Sequence, residues 1–223
     1  FAPSPTGRLH LGHAASALHV WRAADEAGGR VLLRIEDIDI TRCRPELTQA
    51  IFEDLHWLSL DWPEPVRVQS NHFDDYAKVV SNLAARGLAY RCFRTRAEIA
   101  AETEALNIPA FQGSKLPPDQ EADRLDRGDL FAWRLSLTAA RDRLGPAYDQ
   151  LTYTTQSAEG VVTHWANPDL HGDIVIARKD SPSAYHLAAT HDDALSGNIG
   201  QSSQSPMKAF IMYRAFRKTI EQA

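Results

Sequence analysis

Cysteine is nearly absent, with Cys43 and Cys92 the only two in 223 residues. Two thiols exclude a disulfide framework and fit a reducing cytoplasm. Long apolar runs are missing as well. Nothing approaches the roughly 20 residues of a membrane span, so the sequence reads as a soluble protein with no membrane partner. No secretory leader is visible, and a chain opening at Phe1 has its initiator outside the sequence. Positive charge is in deficit, with 24 Lys and Arg against 29 Asp and Glu, a net −5. That balance excludes a protein coating nucleic acid without specificity, but not one with a local basic patch on an acidic body. The hydrophobic share of 43% and charged share of 24% are ordinary for a globular chain. The length suits one generous α/β domain with a small insertion, expected to act as a monomer.

The richest stretch is the opening run FAPSPTGRLHLGH, Phe1 to His13. Pro3 and Pro5 fix φ and remove backbone donors, so the run predicts an extended strand end entering a loop, with Gly7 permitting a reversal. From Leu9 the spacing turns helical, with Leu11, Ala14, Ala15, Leu18 and Trp21 on one expected face and His10 and His13 together on the first turn. Free backbone N–H groups and the positive dipole end of such a helix form an anion site, and Gly12 lets a flat group lie against bare backbone. A lone His-x-x-His would also suit two solvated residues or half of a zinc site.

The order of residues in this run resembles the HIGH signature of class I aminoacyl-tRNA synthetases, and FAPSPTG before HLGH resembles their glutamyl branch. The resemblance implies a Rossmann-like parallel sheet of the class I type, with a small α+β subdomain inserted toward tRNA. It implies that His10 and His13 are catalytic and, with Gly12, bind ATP. It also implies that Phe1, Ala2, Pro3 and Ser4 line a glutamate site, and that ATP and Mg²⁺ are used.

Gly28-Gly29 predicts a helix stop, and Val31 to Ile35 a buried parallel strand. At its carboxyl end stands Glu36-Asp37-Ile38-Asp39, where open α/β sheets place ligands. These residues also read as a solvated acidic turn whose aspartates cap the next helix. RIEDID, with Arg42 three residues on, resembles the RIEDTD-type motif of glutamyl synthetases, which implies that Glu36 receives the α-ammonium group of glutamate. Pro45 opens a helix whose face is Leu47, Ile51, Leu55 and Leu58. Trp57 and Trp62 read as packing under a loop rather than as a base-stacking platform. Val66 to Gln69 predicts a strand, and Phe73, Tyr76, Val80 and Leu83 a helix ended by Gly87, so that doubly wound alternation continues.

Leu88 to Phe93 predicts a strand and Thr95 to Leu106 a helix. The run around Cys92 resembles the point where the glutamyl branch inserts its tRNA-facing subdomain, implying boundaries of 1–92, 93–172 and 173–223. Many glutamyl-Q synthetases hold zinc here through Cys-x-Cys, a tyrosine and a third cysteine. Only Cys92 matches, with Arg94, Phe111 and Lys115 at the other positions, and one thiolate cannot supply about four ligands. No zinc is expected. Asn107 to Gly128 reads as a surface connection, Leu130 to Leu135 as a strand, and Ala139 to Leu144 as a helical turn. Ile174 to Ala177 and Ala184 to Ala188 read as two strands joined at Asp180 to Ser183. The resemblance implies that Tyr185 contacts glutamate; the residue alone reads equally as a half-buried sheet tyrosine. Arg178 and Lys179 are candidates for RNA phosphate, while His186 and His191 lack the spacing of a metal site.

After Asp192-Asp193 the family pattern breaks. The segment gripping the γ-carboxylate and the lysine loop of the ATP site are not found, and the economical reading is that residues between about Leu195 and Ser202 are missing. The resemblance favours a shortened glutamyl-Q-tRNA(Asp) synthetase that joins glutamate to queuosine in the anticodon of tRNA(Asp). The alternatives are the catalytic fragment of an ordinary glutamyl-tRNA synthetase and a non-catalytic paralogue that binds nucleotide or RNA.

Overall fold

The computed structural model describes residues 1–157, 160–178 and 180–196. They fall into two compact units, Phe1–Phe73 and the chain from Asp74 onward. Of the proposed break between about Leu195 and Ser202, the part from Gly197 lies outside the described residues, as does Lys179.

In the first unit the opening residues run parallel to the stretch before Glu36. The Phe1 amino group donates to Leu32 O at 2.8 Å, while Arg34 N–H donates to Phe1 O and Glu36 N–H to Pro3 O, each at 3.0 Å. Pro3 has no N–H to complete the next rung, which is why this edge is extended without being a regular strand. Helix α1 (Leu11–Glu26) follows, then strand β1 (Arg34–Ile35), helix α2 (Pro45–Trp57) and strand β2 (Arg67–Val68). β1 and β2 pair in parallel, Arg34 opposite Arg67 and Ile35 opposite Val68. Ala17, Leu33, Ile35, Ile51, Leu55 and Leu60 form the core, with Phe1, Trp21 and Trp62 packed around it.

Two expectations here need correction. The inward stripe of α1 runs through Ala14, Ala17, Trp21 and Ala24, whereas Leu11, Ala15 and Leu18 face outward. Trp21 sets this register, because its Nε1 donates to Asp61 O at 2.7 Å and its ring meets Phe1 edge-on at 5.9 Å. Trp62 packs as expected against Phe52 and His56. Trp57, at the last turn of α2, is instead 83% exposed. α2 closes with Ser59 at φ 58°, Ser59 N–H on His56 O and Leu60 N–H on Leu55 O. That is a Schellman ending with serine where glycine is usual.

The second unit begins within α3 (Phe73–Ala85) and contains β3 (Ala89–Cys92), α4 (Arg96–Ala105), α5 (Pro118–Asp126) and β4 (Ala132–Leu135). It continues with α6 (Leu137–Leu144), β5 (Thr152–Ser157), β6 (Gly160–Trp165), β7 (Val175–Arg178) and α7 (Tyr185–Ser196). β3, β4 and β7 form one antiparallel sheet, and β5 with β6 a hairpin. Among the described residues the parallel winding expected to continue therefore ends at β2. The expected surface connection holds α5, which starts on Pro118 with Asp119 and Glu121 in its first turn and Arg124 in its last, matching the helix dipole. The helical turn at 139–144 is a full helix, capped by Ser136 Oγ, which accepts from Ala139 N–H. The strand expected over Ala184 to Ala188 is helix α7, which buries Leu187, Ala188, Ala189 and Asp192. Alanine-rich sequence with burial at that spacing favours helix over strand.

Asp173 ties the unit together at 2% exposure. Its carboxylate accepts from Tyr90 Oη at 2.7 Å and from the N–H groups of Gly113 and Leu137 at 2.8 Å. Burial pushes its pKa up, against those three donors, and burial together with Asp173 pushes the Tyr90 hydroxyl up. Among the described residues no helix is long and apolar enough to cross a membrane.

Candidate active site at the start of the first helix

α1 begins at His10, an extended N-cap with φ −124° and ψ 174°. Its Nδ1 accepts from Gly12 N–H at 3.1 Å, and Nδ1 of His13 accepts from His10 N–H at 3.2 Å. This is a reciprocal capping box in which two imidazoles replace the usual hydroxyl and carboxylate. The arrangement fixes the tautomer. A nitrogen that accepts carries no proton, so each neutral ring bears its hydrogen on Nε2. The rings lie 3.9 Å apart between centroids. Burial, and secondarily the neighbouring His10, lower the pKa of His13 and keep it neutral. The helix start thus offers two Nε2–H donors beside the positive dipole end, an arrangement suited to phosphate oxygens. A Cβ on Gly12 would stand 2.9 Å from His10 Cε1 and 3.1 Å from its Nδ1, so the bare backbone there accommodates the histidine ring itself.

The residues expected to hold glutamate lie on the adjoining edge. Phe1 and Ala2 are half-buried, Pro3 is buried and Ser4 exposed, with Ser4 O accepting from Thr6 N–H. Glu36 is 8% exposed at the end of β1 and accepts from Arg34 Nη2 at 2.8 Å. Its arginine partner is not an expectation of the sequence. Alternation along a strand places residues two apart on one face, so the signal was present in Arg-Ile-Glu.

The remaining acids of the turn are structural. Asp37 accepts from Ser70 N–H at 2.8 Å and Ser70 Oγ at 2.6 Å, joining the carboxyl ends of β1 and β2. Asp39 accepts from Thr41 Oγ1 at 2.6 Å and N–H at 3.2 Å, and from Arg42 Nε at 2.6 Å. Thr41 first, then Arg42, hold its pKa down at about 2. Neither aspartate caps α2, whose N-cap Arg44 makes no side-chain cap.

Tyr185 belongs to the second unit, where it opens α7 at 39% exposure rather than lying in a sheet. Arg178 is exposed, 3.7 Å from Asp180. The zinc-pattern positions hold other contacts. Cys92 is buried with Tyr90, Phe111 and Ile99. Arg94 pairs with Glu102 at 3.0 Å and lies 5.5 Å from the Phe111 ring, Arg134 lies 5.2 Å from the same ring, and Lys115 is exposed. Among the described residues, no three His, Cys, Asp or Glu side chains gather as metal ligands.

A parallel strand edge ending in a buried carboxylate, beside a helix capped by two imidazoles, has the chemistry to meet an anion and a cationic group together. Residues 1–200 match the catalytic domain of the tRNA synthetases class I (E and Q). The chain belongs to that family. It is 37% identical to a glutamyl-Q tRNA(Asp) synthetase of Rhodobacter capsulatus over 88% of this chain and 72% of that one. It is 36% identical to a glutamate–tRNA ligase of Prochlorococcus marinus over 86% of this chain but 41% of that one. The crystal structure of a glutamate tRNA ligase from Elizabethkingia meningosepticum, in complex with its amino acid, aligns with TM-score 0.69 and 26% identity over 97% of this chain and 46% of that one. The chain thus spans about two-fifths of the glutamate–tRNA ligase it matches.

Proposed function

We propose that the chain activates L-glutamate with ATP and transfers it to the queuosine base in the anticodon of tRNA(Asp). The observation that carries the activation step is the histidine capping box, which commits both Nδ1 atoms to backbone N–H groups and leaves the ring hydrogens on Nε2. In this reading His10 and His13 donate to phosphoryl oxygens while the glutamate carboxylate attacks the α-phosphorus and pyrophosphate leaves. Charge grows on those oxygens in the transition state, where preorganised donors act most strongly. Glu36 receives the α-ammonium, and the Phe1 to Ser4 edge lines the same site. A queuosine ring hydroxyl then attacks the mixed anhydride and AMP leaves.

The antiparallel portion within 93–172 is the proposed tRNA-facing subdomain, with Arg178 toward RNA phosphate. Mg²⁺ is implied by the family, and the nearby Asp37 and Asp39 carboxylates each already accept from protein donors. The match to a glutamyl-Q tRNA(Asp) synthetase over 72% of its length supports the queuosine step. The near-equal identity to a glutamate–tRNA ligase supports a second reading, in which the acceptor adenosine of tRNA is the attacking group. Labelled glutamate on queuosine-containing tRNA(Asp), and none on the same tRNA lacking queuosine, is the expected result. Labelling of tRNA(Glu) instead would favour the second reading, and no adenylate with any of these tRNAs present would leave a non-catalytic binding protein.

A further inference from the structure

We propose that Arg34 is a positioning residue for Glu36, fixing the carboxylate so that the site discriminates an amino acid from its deamino analogue. This rests on the reading that Glu36 receives the ammonium group. Both backbones are pinned, since Arg34 N–H donates to Phe1 O and Glu36 N–H to Pro3 O. The two side chains share one strand face at 9% and 7% exposure, and the Nη2–Oε1 bond of 2.8 Å joins them. Main chain and side chain therefore both hold Glu36 at the carboxyl end of a parallel strand, where α/β sheets place ligands.

A buried ion pair brings no stability beyond well-packed apolar residues of the same size, because desolvation offsets the attraction. What it does bring is direction. The guanidinium is planar and its donors are fixed, so the carboxylate oxygen it grips, Oε1, has a defined position. The pair is also neutral as a whole, so an incoming ammonium gains from a correctly aimed oxygen rather than from excess negative charge. Lysine would keep the charge and lose the aim, and methionine would lose both.

The test compares Arg34→Lys, Arg34→Met and Glu36→Gln with the parent chain in pyrophosphate–ATP exchange, with glutarate, which lacks the ammonium, as competitor. The glutamate KM of Arg34→Lys is expected to rise roughly tenfold and that of Arg34→Met further, as loss of a charge-assisted bond does. The ATP KM stays within about twofold, and the preference for glutamate over glutarate falls as the glutamate KM rises. If both Arg34 variants keep that preference while Glu36→Gln loses it, Arg34 does not position Glu36 and the ammonium reading stands. If Glu36→Gln keeps the preference, the ammonium reading fails and this inference with it. Parallel rises in both KM values with a lowered Tm would mark Arg34 as purely structural and overturn the proposal. Should Arg34→Met not fold, Arg34→Lys carries the same comparison.

Discussion

His10 and His13 cap one helix by exchanging roles: the His10 ring holds Gly12 N–H, and the His13 ring holds the backbone N–H of His10. Each Nδ1 is thereby committed to the fold, and in the proposed function each Nε2–H serves the phosphate. His13→Ala removes a donor and half of the box together. Glutamate adenylation, read by pyrophosphate–ATP exchange, is expected to fall about a hundredfold or more, the usual loss for a transition-state donor. An unchanged exchange rate would remove His13 from the reaction.

The same geometry fixes a pH dependence. The pKa of His13 is lowered from its ordinary 6.5, first by burial and then by His10. The folded state therefore binds a proton less readily than the unfolded chain. The stability contributed by neutral His13 is complete above 6.5 and is lost as the pH falls from there through the lower folded value. Protonated Nδ1 can no longer accept from His10 N–H. Tm is expected to fall over that acid window, and to fall less in His13→Gln, whose amide does not titrate. Equal slopes in both proteins would show that His13 is not the titrating group.

Much of this site was legible because short-range chemistry determines it. Pro3 and Pro5 forbid a regular strand, His10 sits where a cap must, and Arg-Ile-Glu alternates about a buried Ile35. The misreadings arose where a tertiary partner decided. Leu11 and Leu18 fit the periodicity of α1, but Trp21, held by Asp61 and Phe1, turned the helix so that both face outward. Ala184 to Ala188 has neither strict alternation nor a strong cap, and Leu187 and Asp192 show its helical spacing only once burial is known. Arg34 escaped notice because a strand arginine is ordinarily solvent-facing.

Gly12 offers a sharper probe of histidine placement. An added Cβ would meet the His10 ring at 2.9 Å, a clash that a side chain can relieve only by moving. Gly12→Ala is expected to raise the ATP KM while leaving the glutamate KM and Tm close to their parent values. If the glutamate KM rose alone, His10 would not be part of the nucleotide site.

Ser59 lies away from the site and tests the fold alone. It adopts φ 58° at the end of α2, a left-handed conformation that costs a β-carbon roughly 1–2 kcal/mol. Glycine accepts that conformation but loses more chain entropy on folding. Ser59→Gly is therefore expected to stabilise the protein by about 0.5–1 kcal/mol in urea unfolding, with adenylation unchanged.

Phe111 provides the complementary test in the second unit. Its ring is 6% exposed, packed with Tyr90 and Cys92, and within cation–π range of both Arg94 and Arg134. If this packing takes the place of a metal, the stability of the unit resides in the ring. Phe111→Ala should then cost about 3–5 kcal/mol, the range for deleting a buried phenyl group, while EDTA leaves the Tm of the parent unchanged. The two measurements separate the possibilities cleanly. A Tm that falls with chelator and returns with Zn²⁺ would mean that a metal, not the ring between two arginines, holds Cys92 to the loop beyond α4.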